Sequence, residues 1–309
     1  MMNEQLQLFF HNIEKIRLYF GSDSDSFEKE LALKLTIRNL AFYYEDYENV
    51  NQQIKAHTKW YSSARTSRKI AHSYYVHFAK TPEQIPHTIH MYKQLTKQFK
   101  RNEQTYLAAM YVKSDADLLK MQQLMQALQQ QPSLKYSAFA LQTVALLATR
   151  NQDVPTLAQT YERYYNALIA LGYERKGVTK NSAVLLTLGT GTFCEQTFQH
   201  VQQISAIIQK SDVKLKPCHY NTIALLALAK FDVVQFPALY AIHDEICHVL
   251  KLKKHDWNTL SLAAQIYTSN EAIGDLPEYE LDFSDMLHIH NDASSDGDSG
   301  GSDGGGGGD

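Results

Sequence analysis

The chain has 309 residues, 44% hydrophobic and 20% charged, with a formal net charge of −3, a length that supplies one large domain or two ordinary ones. Eight of its 14 Gly fall in the last 19 residues, leaving six Gly and seven Pro to punctuate the first 290, which sets aside β-sandwiches, barrels and glycine-looped nucleotide-binding sheets. Those 19 residues also hold five Asp and no Lys, Arg or Glu, so the first 290 carry a formal +2, neither strongly acidic nor strongly basic.

The body is rich in Leu, Ala, Gln and Lys, which lose little side-chain freedom in a helix. An all-α protein is expected, built as an irregular α-solenoid or as stacked helical hairpins. The chain opens Met-Met-Asn-Glu and meets Glu14 before any apolar run, so no secretion signal is expected. Leu33, Ile37, Leu40 and Tyr44 keep helical spacing. They lie in an acidic stretch, residues 21–50, with seven acids against three bases.

The sign then reverses. Residues 51–101 carry ten bases and one acid, Glu83. Arg65, Arg68 and Lys69 fall at i, i+3 and i+4, and Lys93, Lys97 and Lys100 form a second stripe, with Trp60, Tyr61, Tyr74, Tyr75, Phe78 and Tyr92 interleaved. Two readings follow. Cationic faces with aromatics can hold phosphate and stack bases, which makes Arg65, Arg68, Lys69, Lys93 and Lys97 a candidate surface for an anionic partner. Alternatively the bases pair with Glu28, Glu30, Glu45, Asp46 and Glu48 while the aromatics fill a core, and this second reading is the expected one. His87 and His90 share a face at i, i+3 and are read as solvated.

Further along, loop signals alternate with helical stripes. Asp153 and Pro155 mark a helix start and Gly172 its end, with Leu157, Tyr161, Tyr164, Leu168 and Leu171 between them as one apolar stripe; Phe198, Val201, Ile204 and Ile208 make another. Similar segments begin at Tyr136, Asn181, Asn221 and Asn258, each opening on a polar residue of capping type and running into a small-plus-aliphatic helix. Gly189-Thr-Gly191 lacks the remaining parts of a nucleotide loop and reads as a helix break. No nucleophile elbow or other catalytic run occurs, so no cofactor and no catalysis are expected.

A metal is weighed at one place. If residues 218–230 and 234–250 form an antiparallel hairpin, Cys218 and His219 lie beside Cys247, with His243 one turn away, and the four could complete a zinc shell. The competing reading is that His243 and Cys247 belong to an apolar stripe with Phe236, Leu239 and Ile246, and no metal is expected. His243 and His248 are five apart, so a helix points them about 140° from each other and a zinc-protease motif is excluded.

Three cysteines, Cys194, Cys218 and Cys247, fit a reducing compartment, and the longest apolar segments fall short of the ~18–20 residues of a membrane span. A cytoplasmic location is expected. Residues 291–309 are Gly, Ser and Asp and are expected to be disordered; Gly300 and Gly307 stand where a calcium loop needs ligands. The organisation expected is thus an N-terminal helical region (1–101), a helical-hairpin region (102–290) and the tail (291–309).

The order Trp60-Tyr-Ser-Ser-Ala-Arg65, a His/Tyr-rich helix, Tyr92-Lys-Gln-Leu95, Tyr106-Leu-Ala-Ala109, then Tyr164 to Gly172 with Gly177 soon after resembles an uncharacterised family of all-helical cytoplasmic proteins from Gram-positive bacteria. The resemblance covers the chain up to about residue 287 and implies the fold, with no reaction, cofactor or partner. A protein-binding helical scaffold is the function expected first, because repeat arrays present extended surfaces. A nucleic-acid-binding accessory protein using residues 51–101 is the second, and a metal-binding enzyme or sensor the third.

Overall fold

A computed structural model describes residues 4–21, 25–131, 141–175, 177–210, 217–252 and 257–269. The expected disordered tail and the opening of the first recurring segment lie outside these residues. Among the described residues there are fourteen α-helices and no strand: α1 (Glu4–Phe20), α2 (Asp25–Ile37), α3 (Tyr44–His57), α4 (Arg68–Phe78), α5 (Ile85–Leu95), α6 (Glu103–Ala109), α7 (Asp115–Gln129), α8 (Leu141–Ala148), α9 (Val154–Ala170), α10 (Gly177–Thr190), α11 (Glu195–Lys210), α12 (Tyr220–Leu228), α13 (Phe236–Val249) and α14 (Trp257–Thr268).

Local chemistry sets many of the ends. Ser67, Asn102, Ser114 and Asp153 accept from backbone N–H groups in the first turns of α4, α6, α7 and α9, satisfying donors that a helix start otherwise leaves open. Gly172 closes α9 in the left-handed region (φ 97°), and Tyr173 N–H reaches back to the Leu168 carbonyl at 3.0 Å. Both the Asp153 start and the Gly172 end match the expectation from sequence. The Leu33-to-Tyr44 stripe does not continue as one helix. Asn39 turns left-handed (φ 53°) just after α2, and Tyr44 opens α3 with its ring exposed.

The hairpins stack, and the stack closes on itself. Each odd-numbered helix packs on the even-numbered helix that follows it, from α1 on α2 to α13 on α14. The even-numbered helices then pack in series: α2 on α4, α4 on α6, α6 on α8, α8 on α10, α10 on α12, α12 on α14, and α14 back onto α2. Seven hairpins thus form a ring, and one buried apolar cluster runs through it from Leu6 to Ile266. The boundary expected at 101/102 falls between α5 and α6, which pack together.

This arrangement explains the recurring segments. They lie at or in α8, α10, α12 and α14, the inner helices, which have apolar neighbours on nearly every side; all nine residues of α12 are buried. A helix apolar all round belongs inside a protein. Residues that looked like caps serve differently, because Asn221 lies inside α12 and takes a 2.6 Å hydrogen bond from Ser182 Oγ of α10. Buried Thr187 and Thr268 return their hydroxyls to carbonyls four residues back. No single described helix is long and apolar enough to cross a membrane.

Where α4 faces α2, His72 is buried among the rings of Phe20, Phe27 and Tyr47, with centroids 5.5, 6.2 and 5.9 Å away. Burial, aided by the Lys34 charge and opposed by Glu30, lowers its pKa to about 4. The folded state therefore keeps this imidazole neutral, while the unfolded chain protonates it below about pH 6.5. Its stabilising contribution is full above that pH and is lost as pH falls towards 4, by about 3 kcal/mol in total. The urea midpoint is expected to drop between pH 7 and pH 4.5, and His72→Gln to flatten that drop. An unchanged pH profile in the variant would assign the effect to other groups.

Candidate functional site

The segment between α3 and α4 places two large aromatic residues, Trp60 and Tyr61, next to each other. Both are exposed, Trp60 at 82% and Tyr61 at 65%, with their rings edge to face at 5.6 Å. The loop is nevertheless tied down. Arg65 donates to the Lys55 and Thr58 carbonyls at the end of α3 and to Thr58 Oγ1 at 3.3 Å, so its charge also meets the negative end of the helix dipole. Ser62 Oγ and the Tyr106 hydroxyl share a hydrogen bond of 2.7 Å.

Between this loop and α5 lies a cavity of about 660 Å³, within the range of small-ligand and cofactor sites. Its floor is aromatic: Tyr92 of α5 and Tyr106 of α6 stack at 3.5 Å with planes 9° apart. Burial, then the Tyr106 hydroxyl beside it, hold the Tyr92 phenol above its ordinary range, with Arg101 pulling the other way. Buried Tyr74 is pushed up for the same first reason. Tyr92 is thus uncharged. The walls are cationic: Lys59, Lys93, Lys97 and Arg101, all exposed, line the cavity with His57, and no carboxylate does. Among the described residues none of the four lysine and arginine side chains forms an ion pair.

The sequence candidates therefore separate. Lys93, in the last turn of α5, and Lys97, just beyond its end, reach the cavity. Arg65 fixes the loop, and Arg68 and Lys69 sit in the first turn of α4 outside the lining. Lys59, Arg101 and His57 are lining residues that the stripe argument did not single out. The acidic stretch is engaged elsewhere: Glu28 pairs with Arg17 at 2.8 Å, Glu30 with Lys34 at 2.9 Å, and Glu48 accepts from the Tyr19 hydroxyl. Tyr74, Tyr75 and Phe78 are buried as expected, whereas Trp60 and Tyr61 are not. His87 bonds the Lys113 carbonyl at 3.0 Å and His90 the Gln94 amide at 3.2 Å.

At the metal candidate, His243 and Cys247 meet on one face of α13, Nε2 to Sγ at 3.6 Å, and both are buried. His243 Nδ1 faces Asp244 at 3.1 Å. The antiparallel partner is not delivered. The chain turns through 119° between Tyr220–Leu228 and Val233–Val249, α13 packs on α14, and the short 3-10 turn Pro217–His219 packs on α10, α12 and α14. His219 is buried there, and the Cys218 side chain lies outside the described residues. Among those residues no three of His, Cys, Asp and Glu come together as a metal site.

A family model described as "Protein of unknown function (DUF4003)" matches residues 10–277. No curated protein and no solved structure matches the chain.

Proposed function

Because the chain belongs to the DUF4003 family, whose description assigns no activity, function has to come from its own surface, and we propose that it is a cytoplasmic, non-catalytic binding protein that holds a polyanion in the cleft between α3 and α5. The observation that carries this reading is the cleft's one-sided charge: four Lys and Arg side chains and His57 line it with no carboxylate. Cations gathered in a concavity focus their field and draw in anions. Three cysteines, an odd number in a chain of 309 residues, are in keeping with a reducing compartment.

A protein scaffold, the function expected first, drew its support from the extended surfaces that repeat arrays present. Closure of α14 onto α2 leaves the even-numbered helices inside, where they are buried, and the cationic cleft is the more specific surface feature. The test is a binding panel of inorganic polyphosphate, a single-stranded oligonucleotide and polyglutamate at about 150 mM salt. Micromolar or tighter binding of a phosphate polymer is expected. Binding of polyglutamate alone would favour an acidic protein partner, and binding of none would overturn the reading.

A further inference from the structure

We propose that the polyanion is a single-stranded nucleic acid, with its phosphates on Lys59, Lys93, Lys97 and Arg101 and a base stacked on Trp60; this rests on the polyanion reading and names its ligand. Charge alone does not choose between polymers, but the rim does. Trp60 stands 82% exposed beside two lining residues, Lys59 and Tyr61. Large exposed aromatics forfeit burial that would stabilise the fold, so an exposed indole beside a cationic cleft points to a ligand with a flat face. Bases offer such a face whatever their identity.

The aromatic pair is also held in place. Ser62 is bonded to Tyr106 in the cavity floor, Ser62 N–H bonds the Lys59 carbonyl at 2.9 Å, and Arg65 fastens the loop's start to the end of α3. Lys59 Nζ lies 5.7 Å from the centre of the Tyr61 ring, so one short segment offers a cation and a ring together. A duplex keeps its bases stacked on one another and has no free face to give. A free strand does.

The probe is intrinsic fluorescence. The chain has two tryptophans, Trp60 and Trp257, so the Trp257→Phe protein reports Trp60 alone, and the difference between wild type and Trp60→Phe serves if that variant folds poorly. Twelve-nucleotide single strands of RNA and of DNA are expected to quench the signal on binding, and their separate affinities tell which sugar is preferred. Trp60→Ala is expected to weaken them roughly tenfold, a typical loss for one stacked base, while polyphosphate affinity stays the same. Equal affinity for strand, duplex and polyphosphate with no effect of Trp60→Ala would overturn the inference and leave the polyanion reading intact. No binding of any of the three would remove both.

Discussion

Replacing Lys93 and Lys97 together by Glu is expected to lower affinity for a single-stranded oligonucleotide by about a hundredfold at physiological salt, since phosphate contacts are lost and like charges then face the ligand. Both side chains are exposed and line the cleft from the end of α5, so the change reaches the site without opening the core. A small stability cost is expected, because Lys93 stands in the last turn of α5 where a cation favours the helix dipole. Lys113→Glu supplies the control. It makes the charge change of one of those two substitutions at an exposed position beyond the other end of α6 and should leave affinity within about threefold through long-range screening. Titration by fluorescence anisotropy, with a melting curve for each variant, reads both effects. A double variant that folds and still binds like wild type would place the contact surface elsewhere.

The second large effect concerns the ring. Gly189 sits inside α10, where a Cβ would lie 2.3 Å from Leu228 Cδ2 and 3.0 Å from Leu228 Cγ. Alanine is the better helix former by about 1 kcal/mol, but Leu228 is 2% exposed and has little room to retreat. Overpacking is expected to win, so Gly189→Ala should destabilise by about 1–3 kcal/mol. Leu228→Ala alone should cost about 2–5 kcal/mol by opening a cavity. Combined, the two should cost clearly less than their sum, because the new methyl enters the space the leucine leaves. Urea unfolding of the four proteins gives the coupling; strict additivity would show that α10 and α12 do not meet there.

Helical class was legible from scarce glycine and from stripes such as Phe198, Val201, Ile204 and Ile208, all of which are buried in α11. The recurring segments picked out inner helices because a helix buried on all sides must be small and aliphatic throughout. Their closure left no local mark, since α2 and α14 are more than two hundred residues apart and meet only when five hairpins between them set the curvature. The break after α2 was hidden because Leu40 keeps helical phase with Leu33, although Asn39 is one of the few non-glycine residues that tolerates a left-handed turn. At the cleft, helical spacing found Lys93 and Lys97. It missed Lys59 and Arg101, which, like Lys97, lie beyond helix ends, where the fold and not a helical stripe decides which side chains converge. It offered Arg65 to an anionic partner or to the chain's own acidic stretch, whereas the carbonyls closing α3 take its guanidinium. Trp60-Tyr61 held the clearest signal, two adjacent large rings that no single helix face can bury.

The salt dependence of binding tests the cleft most directly. If four cations contact phosphates of a single strand, log K should fall with log salt at a slope of about −3, near 0.7 for each contact, and Lys97→Ala should make the slope shallower by about 0.7. A slope near zero, or a wild-type slope retained in Lys97→Ala, would contradict a cleft that works by holding phosphates.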